Sequence, residues 1–141
     1  MTSPLERLAG PGKALQPEPP DETETAALMR SGRTRLADAK RAENALESRF
    51  DLAYNAAHAL CLAALRHAGY RPENRYIVFQ SVPHTLALGP EVWGVLAKCH
   101  GLRNRAEYEG ELEVTERLVA DLVVACEAVA AALDKRLAQP K

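Results

Sequence analysis

The fold class is decided by residues 48–69, SRFDLAYNAAHALCLAALRHAG, in which apolar side chains recur at helical intervals. Ser48 can accept the free N–H groups at a helix start, and Gly69 is typical of a helix end. We therefore predict a helix from Ser48 to about His67, with alanines that let another backbone approach closely. Its apolar positions are Phe50, Tyr54, Ala57, Cys61, Ala64, Leu65 and Ala68.

An earlier helix is predicted to begin at Asp21, since acidic residues suit the positive end of a helix. Ser31-Gly32 weakens its middle, so one helix with a weak point and two short helices remain alternatives. Before it, residues 1–20 contain five of the nine prolines, which cannot continue a helix interior. We predict an irregular N-terminal arm there. The apolar side chains that can dock this arm are Leu5, Leu8 and Leu15.

The segment after the Ser48 helix is ambiguous. A turn is predicted at Arg71–Asn74. Tyr76–Phe79 consists of β-favouring residues, but a lone strand in a helical chain would leave its backbone groups without partners. We therefore predict a short helix at Tyr76–Phe79, which Pro83 ends or kinks.

Two more helices are predicted towards the C-terminus. Pro90 suits the first position of a helix, and Gly110 marks its predicted end. Thr115 is the predicted N-cap of the last helix. The apolar stripe of that helix consists of Leu118, Leu122, Ala125, Val129, Ala132 and Leu137. The sequence thus predicts an all-α domain over residues 21–138, an antiparallel bundle of four to five helices, followed by a tail at 139–141.

The composition of the 141 residues argues against several functions. Eighteen Lys and Arg against 19 Asp and Glu give a net charge of −1, which provides no general attraction to nucleic acid. No apolar run approaches the roughly 18 residues of a membrane span. The three cysteines lack metal-ligand spacing and lie among apolar residues. We expect them to be buried reduced thiols in a cytoplasmic protein without a metal or other cofactor.

A polar stretch at the end of the Pro90 helix contains the candidate site. Helical spacing places His100, Arg103, Asn104, Glu107 and Tyr108 on one side, where an apolar stripe would be expected. The guanidinium of Arg103 has the planar shape that fits phosphate oxygens, and Tyr108 can stack on a base. The alternative is a structural cluster in which Arg103 and Glu107 form an ion pair. The sequence leaves both open.

The order of these motifs resembles that of HEPN domains, small helical bundles found in bacterial toxin–antitoxin and defence proteins. The two motifs that carry the resemblance are A-Y-x-A-A at Ala53–Ala57 and Arg103-Asn104. The resemblance extends over about residues 21–138. It implies a homodimer in which two copies of the arginine-bearing helix face each other across a cleft.

Many HEPN proteins are metal-independent ribonucleases, in which an arginine is followed by a histidine after about four to six intervening positions. Counted from Arg103, these positions hold Tyr108, Glu109 and Gly110 here. We therefore expect a non-catalytic module that binds a protein partner or a nucleotide through Arg103, Asn104, Glu107 and Tyr108. The resemblance allows a minimal nucleotidyltransferase as partner. The alternative is a ribonuclease that uses Arg103 with Tyr108 or His100 on RNA.

Overall fold

The computed structural model describes residues 4–109 and 113–139, without the side chains of residues 107–109. It is mostly helical and includes a small two-stranded sheet. The helices are α1 (Pro4–Leu8), α2 (Glu22–Ala39), α3 (Leu46–His67), α4 (Arg75–Gln80), α5 (Val82–Thr85), α6 (Pro90–Glu109) and α7 (Glu116–Ala138). The strands are β1 (Leu15–Pro17) and β2 (Tyr70–Pro72). The predicted predominance of helix is confirmed, whereas the sheet was not predicted.

Helix α2 is continuous, which decides between the two alternatives for Ser31-Gly32. The predicted start is confirmed, because the Asp21 carboxylate accepts the N–H groups of Thr23 and Glu24 at 2.9 and 3.2 Å. Gly32 is buried against α3, where a Cβ atom would lie 2.7 Å from Leu60 Cγ. The glycine therefore permits the close approach of α2 and α3.

Helix α3 packs against both α2 and α7 and supplies much of the core. It ends at His67 as predicted, and Gly69 follows in the left-handed region with a φ of 96°. The predicted cap at Ser48 is wrong. The helix begins at Leu46 after Ala45, which makes no side-chain capping bond.

The predicted short helix is confirmed as α4, which the Asn74 side chain caps by accepting the Ile77 N–H at 2.9 Å. Pro83 lies in α5, which follows α4 after Ser81. The first part of the predicted Arg71–Asn74 turn is strand β2 instead.

The two C-terminal helices begin where the sequence predicts. Pro90 is the first residue of α6. Thr115 caps α7, where its hydroxyl oxygen accepts the Leu118 N–H at 3.0 Å. The predicted helix end at Gly110 lies outside the described residues.

The N-terminal arm is not irregular throughout, contrary to the prediction. Strand β1 pairs antiparallel with β2, with Leu15 opposite Pro72. Leu5 and Leu15 are buried against Leu65 and Ile77 in a second apolar cluster. The arm adopts this structure because β2 supplies the hydrogen-bond partner that a lone strand would lack.

A buried arginine fixes this arm to the helices. The Arg66 side chain is only 1% exposed. Its Nε donates to Glu24 at 2.6 Å, and its two Nη groups donate to the backbone carbonyls of Glu18, Pro19 and Tyr70 at 2.8–3.1 Å. The buried charge is therefore compensated by carboxylates and carbonyls of the arm, α2 and β2.

A second arginine reinforces this contact from the sheet. Arg71 Nε donates to Glu18 at 2.8 Å, and its Nη2 donates to Glu24 at 2.8 Å. These hydrogen bonds are the largest cause that lowers the pKa of both carboxyl groups below the ordinary value, and Arg66 adds to the effect at Glu24. The arm is thus held by ionised carboxylates.

The three cysteines are buried free thiols, as predicted. Burial is the main cause that raises the pKa of Cys99 to about 11 and of Cys126 to about 12. Among the residues that the structure describes, no helix has the length and apolar character needed to cross a membrane.

Candidate functional site

The predicted site residues lie on α6, and three of them have described side chains. His100 is buried at 8% exposure, Arg103 is partly buried and Asn104 is exposed. The His100 and Asn104 side chains are in contact, so these two share one side of the helix as predicted. The side chains of Glu107 and Tyr108 lie outside the described part of the chain, and the predicted Arg103–Glu107 pair lies outside it with them.

Both ring nitrogens of His100 have hydrogen-bond partners. Asn104 Nδ2 lies 3.2 Å from Nε2, and Tyr54 Oη lies 3.1 Å from Nδ1. In both contacts the donor and acceptor roles follow the tautomer of the ring. This arrangement holds the imidazole in place. Before His100 could exchange a proton with a substrate, one of its ring nitrogens would have to lose its contact with Asn104 or Tyr54.

The buried side of this histidine faces aromatic rings from α3 and α4. The His100 ring centroid lies 6.4 Å from that of Tyr54 and 5.7 Å from those of Tyr76 and Phe79. Tyr54 belongs to the A-Y-x-A-A motif, and its side chain is fully buried. The motif therefore supplies a buried ring that contacts the polar end of α6 at His100.

Arg103 extends from α6 towards α3. Its Nη1 lies 3.0 Å from Asp51 Oδ1, and its Cζ lies 6.0 Å from the centroid of the Tyr54 ring. The ion pair is close, but it is not aligned as a hydrogen bond, since Asp51 Oδ1 and Arg103 Nε are both buried without a hydrogen-bond partner. Within the part of the chain that the structure describes, Arg103 Nε is thus a donor without an acceptor.

A second guanidinium approaches the same ring from α4. Arg75 is the first residue of that helix, and its Cζ also lies 6.0 Å from the Tyr54 centroid. The two guanidinium carbons are therefore no farther apart than twice that distance. The neighbouring Tyr76 is 45% exposed. We refer to Arg75, Tyr76, Arg103 and Asn104 as the Arg75–Arg103 site.

Sequence reasoning missed Asp51, Arg75 and Tyr76. Arg75 stands just before an apolar segment, and Tyr76 is the first residue of that segment. No local sequence pattern relates the two residues to α6. Their role becomes visible only when α4 packs against α6. The A-Y-x-A-A motif was the one available signal that α3 contributes to this place.

His58 lies beside the site on α3 and borders a groove that Arg75, Leu62 and Val78 also line. Its ring packs edge-on against Phe79 with centroids 5.9 Å apart. Burial, with smaller contributions from Arg75 and His100, lowers the pKa of His58 to about 4. The imidazole is consequently uncharged at neutral pH, and the positive charge near the site comes from the arginines.

The described residues contain no group of three or more His, Cys, Asp or Glu side chains that could hold a metal ion. The described residues bring two guanidinium groups to the buried Tyr54 ring, and Tyr76, which follows Arg75, presents an exposed aromatic ring. The fold and the site together define a mostly helical protein with a polar site where α3, α4 and α6 meet. No protein-family model, curated protein or solved structure matches the chain.

Proposed function

We propose that this protein is a non-catalytic, HEPN-like homodimeric module that binds a nucleotide through the Arg75–Arg103 site. In this proposal the phosphate groups contact Arg75 and Arg103, and the base stacks on Tyr76. Asn104, Glu107 and Tyr108 complete the site. The antiparallel bundle is the expectation from the helical pattern of the sequence, and the homodimer and the toxin–antitoxin or defence setting rest on the resemblance. A nucleotidyltransferase-type protein is the partner that the resemblance suggests.

The observation that carries the proposal is the approach of two guanidinium groups to one buried ring. Like charges repel, so two arginines in one place are favoured when an anion lies between or beside them. Among the described side chains, Arg103 has one carboxylate partner, Asp51, and Arg75 forms no ion pair. Phosphate oxygens match the planar donors of guanidinium groups.

Two features support a binding role over catalysis. The positions in which the ribonucleases of the family have histidine hold Tyr108, Glu109 and Gly110. An ordinary phenol, with a pKa of about 10, exchanges protons poorly at neutral pH. His100, the other candidate acid or base, is buried with both ring nitrogens engaged.

The nucleotide proposal is tested by calorimetric titration of the protein with ATP and GTP. A charge-assisted hydrogen bond contributes roughly 1.5–3 kcal/mol, so Arg75→Ala and Arg103→Ala should each raise the Kd by about tenfold or more. Arg105→Ala is the matched control, since Arg105 is exposed on the same helix and forms no ion pair in the described structure. Equal affinity of all four proteins would show that the site is elsewhere.

The alternative function is tested on the same variants. A ribonuclease should cleave single-stranded RNA in the presence of a chelator, and Arg103→Ala should abolish the cleavage. Cleavage by the wild type and not by Arg103→Ala would overturn the non-catalytic proposal. The homodimer is tested separately by sedimentation, and a monomer throughout the micromolar range would contradict it.

A further inference from the structure

An apolar groove runs along the outer side of α7. Val124 is 66% exposed and lies on a surface that other apolar side chains also line. Val95 of α6 lines the first half of the groove with Val124, and Ala131 lines the second half. Leu88 and Ala128 line both halves, so the groove is continuous. We call this surface the α7 groove.

The two ends of the α7 groove carry opposite charges. Glu91 and Asp121 line the first end, and Lys135 and Arg136 line the other. Asp121 and Lys135 are separated by 14 residues of α7, which corresponds to about 21 Å along a helix. The charges therefore form an acidic end and a basic end on one apolar surface.

These charges differ from those on the other side of α7 in how they are compensated. Glu127 pairs with Lys40 of α2 at 3.3 Å, and Asp134 pairs with Arg33 of α2. At the groove, by contrast, neither the acidic nor the basic end forms an ion pair with another element in the described part of the chain. Within the described residues, Asp121 forms an ion pair only with the exposed Arg117 of its own helix, at 3.7 Å. The groove thus has both apolar surface and charges left for another molecule.

We propose that a second copy of this chain docks on the α7 groove, with the two α7 helices antiparallel across a two-fold axis near Ala128. A two-fold interface places the same surface on both copies, so the surface must be complementary to itself. Asp121 and Lys135 lie on either side of Ala128 at equal separation, about two helical turns each. The axis therefore brings the acidic end of one copy against the basic end of the other.

Small side chains favour this pairing. Ala128 and Ala131 allow two helix backbones to approach closely, and Val124 of each copy then packs beside Ala132 of the other. The inference rests on the proposed homodimer but places its interface on α7, whereas the resemblance implies an interface at the arginine-bearing helix α6. The α7 groove shares no residue with the Arg75–Arg103 site, so nucleotide binding and dimerisation can fail independently.

The first test replaces the exposed valine and measures the dimer dissociation constant by sedimentation. Val124→Asp introduces a carboxylate at two places in the interface, because the axis repeats it. We expect the dissociation constant to rise about a hundredfold or more. Ala37→Asp, at an exposed position of α2, is the matched control and should leave it unchanged. An unchanged dimer in Val124→Asp would overturn the groove interface while the homodimer stands.

The second test examines the charge register. Asp121→Lys and Lys135→Asp should each weaken the dimer by about tenfold, because each places like charges together at both ends. The double variant should restore the wild-type constant. Additive weakening in the double variant would show that these residues do not face each other.

The third test places a thiol at the proposed axis. Ala128→Cys should form a disulfide-linked dimer on mild oxidation, whereas Ala37→Cys should not. The native cysteines are buried, so they give little background. Failure of Ala128→Cys to cross-link a protein that sediments as a dimer would contradict the antiparallel pairing. A wild-type monomer would overturn both the homodimer and this interface, and nucleotide titration would still report on the Arg75–Arg103 site.

Discussion

Replacement of Arg66 by methionine should release the N-terminal arm from the helices. Methionine keeps the apolar volume of the arginine stem but removes the donors to Glu24 and to the carbonyls of Glu18, Pro19 and Tyr70. Those carbonyls then face a side chain that cannot donate. A carbonyl that stays buried without a donor costs free energy. We therefore expect the arm to detach, because water can then hydrate the carbonyls.

The expected loss of unfolding free energy follows from how deeply Arg66 and its partner Glu24 are buried. Loss of one partner of a buried ion pair costs about 3–5 kcal/mol. The Glu24 side chain is 31% exposed and keeps Arg71 as a second partner, so it can be rehydrated. We therefore expect the lower end of that range, about 3 kcal/mol, for Arg66→Met. Arg66→Lys keeps the charge but not the planar set of donors, and should lose about half as much.

Urea denaturation followed by circular dichroism measures this loss, and hydrogen exchange locates it. For a slope of about 1–3 kcal/mol/M, the midpoint should fall by about 1–3 M. The amides of β1 should lose protection more than those at the centre of α3. Arg30→Met is the control, because Arg30 is exposed, and its effect should stay within about 0.5 kcal/mol. Protected β1 amides and a control-sized change in Arg66→Met would refute the view that Arg66 holds the arm.

Two further perturbations test the packing of α2 and the charge state of the arm contact. Gly32→Ala should destabilise the protein by about 1–3 kcal/mol in the same urea assay, because the new Cβ meets a leucine of α3 at 2.7 Å. Gly94→Ala is the matched control in α6, where nothing lies within 4 Å of the new Cβ, and it should stabilise by up to about 1 kcal/mol. The pKa values of Glu18 and Glu24 are lowered on folding, mainly by Arg71, so their contribution is present above the ordinary pKa of 4.5 and lost as the pH falls below it. Protection of the β1 amides should therefore decrease below about that pH, and Arg71→Gln should weaken this acid dependence; a pH-independent arm would contradict the assignment.

Helix boundaries were predictable where a short-range capping interaction determines them. Asp21 and Thr115 bond to N–H groups two or three residues away, so the sequence around them contains the whole interaction. Pro90 acts through its own ring. The prediction of Ser48 as an N-cap used the same reasoning and was wrong. Helix α3 extends back to Leu46 without any side-chain cap and leaves Ser48 inside the helix. Tertiary packing of the helix outweighed the capping preference.

Long-range pairing explains what the sequence did not reveal. Leu15 meets Pro72 across the whole of α2 and α3, so neither strand is recognisable from its own neighbours. Arg66 looks like an ordinary basic residue in the last turn of a helix. Only the arm folded over it explains its burial. Arg75 is likewise brought to the site by the packing of α4, which no local pattern encodes.

The two alternatives for the polar end of α6 apply to different residues of it. His100 and Asn104 bond to each other, and His100 also bonds to Tyr54, so the cost of burying the imidazole is offset within the protein. Arg103 differs, because its Nε is buried without a hydrogen-bond partner, and a second arginine approaches the same Tyr54 ring. An uncompensated buried donor lowers stability and is retained more readily where a ligand uses it. The structural interpretation therefore suits His100, and the ligand-binding interpretation is the one that we propose for the arginines.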